Sequence, residues 1–140
     1  MLVDTITIEV RPEDDLSLPD GRRLVEEESV EEFDGPATLE GAKFLEGYEA
    51  WINGEEMLER AKKLGDCAGL RHAKALLRQQ NLIPANWQEK ILVFAGTVAR
   101  GSDGHRDVAY LCWYVYRWDL FWSCRDDTFD FRFCVVRLRE

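Results

Sequence analysis

At 140 residues, 46% hydrophobic and 32% charged, the chain has the apolar content to bury a core and too much of it to stay disordered. Its net charge of -9 argues against non-specific nucleic-acid binding, which needs a positive field, and its longest strongly apolar run, 110–116, is far too short to span a bilayer as a helix. The charge is uneven: residues 1–59 carry eighteen acids and four bases, 60–90 seven bases and two acids, and 91–140 seven of each.

In residues 2–10, Ile6, Ile8 and Val10 alternate with Thr5, Thr7 and Glu9, the pattern of a half-buried strand. Asp4 and Glu9 interrupt this stretch, so it is not read as a signal peptide. Pro19, Asp20 and Gly21 between two apolar pairs indicate a tight hairpin turn. Glu26 to Glu32 holds five acids in seven residues and reads as a solvated helical turn or loop, ended by Gly35 and Pro36.

Thr38 fits the cap of a helix to about Ile52, because Phe44, Leu45, Tyr48, Trp51 and Ile52 fall in one sector of about 120°. Asn53 caps a second helix, with Glu56 at the capping-box position, Met57, Leu58, Ala61 and Leu64 as its buried stripe, and Gly65 as its stop. Asp66 caps a third, to about Gln80, buried through Leu70, Ala73, Leu76 and Leu77. Pro84 prevents continuation, and Trp87 anchors the connection into a sheet.

Strands follow at 91–99 and from Arg106, joined by a hairpin at Gly101–Gly104; the second is apolar on both faces, as a central strand would be. A reversal near Tyr116 leads to a strand over Trp118–Cys124, a turn at Arg125–Asp127 and a last strand over Phe129–Leu138. The expected fold class is α+β: about three helices packed on one face of a mainly antiparallel four-stranded C-terminal sheet, with an N-terminal strand and hairpin. The chain is read as one domain over 1–140, comprising an acidic segment 1–36, a helical part 38–80 and a sheet 91–140.

Several residue groups have chemical potential. Cys67, at the start of the third helix one turn before Arg71 and two before Lys74 on the same stripe, is where a dipole and a cation would favour a thiolate, giving an alternative reactive site. His72 lies about 140° around that helix, so no local base completes the site. Asp103, His105 and Asp107 share a face at period two, but ligands are too few to assign a metal. Cys112, Cys124 and Cys134 read as small core residues rather than zinc ligands; with no CxxC spacing the four cysteines are taken as reduced, which places the chain in the cytoplasm. No cofactor-binding motif is present, so no cofactor is expected and no catalytic residue is assigned.

Eleven of the sixteen aromatic residues lie in 91–140. Because that block is charge-neutral, it lacks the electrostatic funnel of a single-strand binder, which stays a third reading after the small-enzyme alternative at Cys67 or His105/Asp107. Rings beyond what one core face can hide point to a docking patch through Trp113, Trp118, Trp122 and Arg117. The leading reading is a non-enzymatic interaction module. Its acidic surface at Glu26, Glu27, Glu28, Glu31 and Glu32 suits a basic protein partner, in one version as an inhibitor imitating nucleic-acid charge; homodimerisation through the sheet is a second mode, with no membrane partner.

Overall fold

The computed structural model describes residues 4–19, 21–124 and 128–139. Strands β1 (Ile6–Val10), β2 (Arg23–Leu24) and β3 (Gly35–Ala42) are followed by a short β4 (Trp51–Asn53) and helix α1 (Gly54–Leu64). Helix α2 (Leu70–Arg78) leads through two 3-10 turns to β5 (Ile91–Arg100), β6 (Arg106–Tyr114) and β7 (Arg117–Cys124), then β8 (Thr128–Asp130) and β9 (Phe133–Leu138). One seven-stranded sheet runs β1-β3-β9-β5-β6-β7, with β2 also paired to β5, and a two-stranded ribbon joins β4 to β8.

Three helices on a four-stranded antiparallel sheet is therefore incorrect. The described residues hold two helices, the main sheet is larger, and it is mixed, since β5 and β9 run parallel from Ile91↔Phe133 to Val93↔Val135. Nor do the helices share a face. Along β5, Leu92 and Phe94 pack with Ala73 and Leu76 of α2, whereas Val93 and Ala95 pack with Met57, Leu58 and Ala61 of α1. Successive side chains of a strand point to opposite faces, so the sheet lies between the two helices. This is why β5, rather than β6, is buried along almost its whole length: it sits under both layers.

The segment expected to be the first helix is β3, a loop and β4. Leu39 explains the override: it is completely buried, paired with Ile6 of β1 on one side and Leu138 of β9 on the other. Gly35, Pro36 and Gly41 are weak helix formers, so little local preference opposes extension. The apparent helical stripe splits, with Phe44 and Ile52 buried but Tyr48 88% and Trp51 57% exposed. The single last strand is also two: Asp130 Oδ1 accepts from Arg132 N at 3.0 Å, an Asx-type turn that separates β8 from β9.

The second expected helix is α1. Asn53 Oδ1 accepts from Glu56 N at 2.9 Å, and Gly65, at φ 75°, ends it in a conformation that side chains disfavour. The third begins three residues later than expected, capped at Gly69 rather than Asp66. Before it, Asp66 to Gly69 lie against the sheet, with Ala68 N donating to Val136 O at 3.0 Å and Gly96 N to Ala68 O at 2.9 Å. A Cβ on Gly96 would stand 2.5 Å from Cys67 O, so only glycine permits this crossing. The turn at Pro19 closes through Arg22 N to Pro19 O at 3.1 Å, but β2 continues onto β5 rather than back onto 16–18. The expected turn at Arg125–Asp127 lies outside the described residues.

Candidate functional site: a pinned acidic strap

Residues 25–34 cross the outside of β5 as a strap. Val25 N donates to Val98 O at 2.8 Å and Val30 N to Gly96 O at 2.7 Å. Between them Ser29 Oγ accepts from Val98 N at 3.0 Å and donates to Val25 O at 2.8 Å. A 3-10 turn over Glu26–Glu28 joins these anchors.

Glu32 fixes the far end. Helix α2 starts at Gly69, which has no side chain to cap it, and two residues distant in sequence do that work instead. Thr97 Oγ1 accepts from Leu70 N at 2.8 Å and stands 3.2 Å from Glu32 Oε2, while Glu32 Oε1 accepts from His72 N at 3.0 Å. The carboxylate thus meets the positive end of the helix and satisfies N–H groups the helix leaves open. His72 Nδ1 lies 2.7 Å from Glu32 Oε1 and 3.1 Å from Gly69 N. The shorter contact, to the charged oxygen, is attractive only with a hydrogen on Nδ1, so we assign Nδ1–H as its donor. Burial pushes the Glu32 carboxyl up, but His72 and the backbone donors outweigh it and hold it below its ordinary value. A Cβ on Gly69 would meet Thr97 Oγ1 at 2.5 Å and Glu32 Cδ at 2.7 Å.

With Glu32 turned inward, its neighbours face water. Glu26, Glu27 and Glu31 are exposed and have no ion-pair partner among the described residues. Val30 and Phe33 are 45% and 70% exposed beside them. Glu28 is different: it bonds Lys62 of α1 at 2.9 Å and pairs with Arg106 of β6, so it ties the strap to the body. Burial raises its pKa, but these two cations hold it below the ordinary value. Sequence reasoning found the acids but not the division between anchors and displayed groups, nor Val30 and Phe33 among them. No periodicity in residues 30–34 marks that division.

The basic stripe of α2 is used internally. Arg71 donates to Asp14 O at 2.6 Å and Glu32 O at 3.1 Å and pairs with Asp34; Lys74 meets Asp15 at 3.0 Å; Arg78 meets Asp14 Oδ2 at 2.6 Å. Cys67 is not gathered with Arg71 and Lys74. It precedes the helix, is buried in the core on the α1 side, and donates from Sγ to Ala61 O at 3.2 Å, with burial pushing its thiol pKa up. Asp107 turns to Arg22 at 2.8 Å while His105 lies 3.4 Å from Asp103, and no group of three metal-ligating side chains occurs among the described residues. Cys134 belongs to the core on the α2 side, whereas Cys112 shares the opposite face with Tyr110; the side chain of Cys124 lies outside the described residues.

Of the expected sheet aromatics, Trp118 is 2% exposed and belongs to the core. Trp113 packs edge-on against it at 6.0 Å, and the Arg22 guanidinium sits 5.4 Å from the Trp122 ring. Arg117 is exposed and lies 3.3 Å from Asp119. The side chains displayed at this end of the sheet are others: Tyr114 at the end of β6, and Val115 and Tyr116 in the β6–β7 turn, at 63%, 66% and 89% exposure. Val115 and Tyr116 have φ of 49° and 72°, a two-residue turn that favours asparagine and glycine and strains a β-branched residue. Val115→Asn combined with Tyr116→Gly is expected to raise stability by about 1–2 kcal/mol in denaturant unfolding, and a decrease would show that the tip carries no strain.

No protein family matches the chain, and neither does any curated protein or solved structure. No described helix is long and apolar enough to cross a membrane.

Proposed function

We propose that this chain is a non-enzymatic protein-interaction module that meets a basic partner through the strap. One observation carries the reading: three unpaired carboxylates, Glu26, Glu27 and Glu31, surround exposed Val30 and Phe33 on backbone that the protein itself holds in place. Pre-ordered backbone lowers the entropy lost on binding, the charges steer and orient a basic surface, and the two apolar side chains supply desolvated contact. The chain's other acids support this by contrast, since many are consumed by its own bases. The same consumption weakens the case for nucleic acid at α2, and the buried thiol weakens the case for chemistry at Cys67. Free Cys67, Cys112 and Cys134 agree with a cytoplasmic setting.

In its specific form the strap occupies a groove that evolved for nucleic-acid phosphates. The protein should then displace a fluorescent duplex from a basic nucleic-acid-binding enzyme, with the effect fading between about 50 and 200 mM salt. Absence of displacement at low salt would count against the inhibitor form.

A further inference from the structure

A second site of opposite character lies where β3 leaves β9. Their pairing ends at Ala42↔Val135, after which residues 43–50 loop away while β9 continues back to Phe133 beside β5. The gap is a cleft of about 320 Å³ walled by Phe44, Leu45, Phe131 and Phe133, with Lys43 and Lys90 at its polar side. A neighbouring concavity shares Lys43 to Glu46 and adds Arg60 and Lys63. Arg60 is already committed, with Nη2 2.8 Å from Glu49 Oε2. Among the described residues Lys43 and Lys63 have no ion-pair partner, and Lys90 donates only to Phe131 O, at 3.2 Å, under a ring that is 74% exposed. Two ammonium groups without an ion-pair partner, and a third held only by Phe131, therefore share these concavities with Glu46, the one acid lining either that is not already paired with Arg60, in a chain of net charge -9. Tyr48, between the lining residues Gly47 and Glu49, and Trp51, paired with Asp130 next to Phe131, extend the aromatic surface past the cleft.

We infer that this cleft docks an acidic peptide segment of a partner protein, with an aromatic side chain seated between Phe44, Phe131 and Phe133 and flanking carboxylates on Lys43, Lys63 and Lys90. The apolar lining and small number of charged groups fit a binding cleft, and rings against rings add to area burial. The exposed rings beyond the rim give more contact than a small acid can use, which favours a protein ligand.

The probe is a blocked pentapeptide, glutamate–glutamate–phenylalanine–glutamate–glutamate, titrated into the isotope-labelled full chain and followed by amide chemical shifts. Saturable shifts at Lys43, Phe44, Lys90, Phe131 and Phe133 are expected, weakened about tenfold or more by Lys43→Glu and by Phe131→Ala, both exposed positions where folding should persist. Equal binding of the lysine-for-glutamate peptide, shifts confined to another face, or no shifts at millimolar peptide would overturn the assignment. So would equally tight binding of 3-phenylpropionate, which would make the ligand a small acid. Concentration-dependent broadening of these residues without peptide would put a second copy there, and would overturn it too.

Discussion

Glu32→Ala is expected to destabilise the protein by about 3–5 kcal/mol, because each buried donor left without its charged acceptor costs about 1–3 kcal/mol and His72 N, His72 Nδ1 and Thr97 Oγ1 all face Glu32. The substitution removes the acceptor for His72 N, leaves Thr97 Oγ1 without its carboxylate, and strips the charge from the positive end of α2. Glu32→Gln keeps an oxygen for His72 N and should fall between. The pH dependence has a definite sign. Because the folded-state pKa of Glu32 lies below its ordinary 4.5, its stabilisation is fully present above that value and is lost as pH falls through the lower folded one. Wild type and Glu32→Ala should therefore differ by a constant amount near neutrality and converge only in acid. Denaturant unfolding across pH measures this; an alanine variant within about 1 kcal/mol of wild type at neutral pH would remove Glu32 from its anchoring role.

Trp118→Ala should be comparably severe, at about 3–5 kcal/mol, because a large fully buried ring leaves a cavity the sheet cannot close. The site is fixed from both sides: Trp113 meets the ring edge-on, and Gln80 holds the backbone, with Gln80 Oε1 accepting from Trp118 N at 2.9 Å. Phe33→Ala, at a 70% exposed position on the strap, should move stability by less than about 0.5 kcal/mol. The pair separates core rings from docking rings. If Trp118→Ala left stability intact and Phe33→Ala did not, the assignment of the two would be reversed.

Residues whose partners are local were legible in the sequence. Asn53, Glu56 and Gly65 delimit α1 because capping works within one helical turn, and Gly101 to Gly104 announce the β5–β6 hairpin for the same reason. Elements set by distant contacts were not legible. Leu39 makes a strand only because β1 and β9 need one between them, and the parallel alignment of β9 with β5 has no local signature. The cap of α2 comes from residues 27 and 40 positions away. The acidic run was visible as a run, but which of its members turns inward depends on Thr97 and His72. The aromatic block was visible too. A sheet covered on both faces hides Trp118, and the three most exposed rings, Tyr116, Tyr48 and Phe131, sit in turns and loops.

Under the proposed function, the displayed carboxylates of the strap recruit a basic protein. The most direct measurement is affinity capture from the source cell with wild type and the Glu26→Lys/Glu27→Lys/Glu31→Lys variant in parallel, at about 50 and 200 mM salt. These three positions are exposed and unpaired among the described residues, so the variant should fold as wild type does. A basic protein should be retained by wild type at low salt, reduced at high salt and lost with the variant. Equal recovery of the same protein by both would contradict the proposed function.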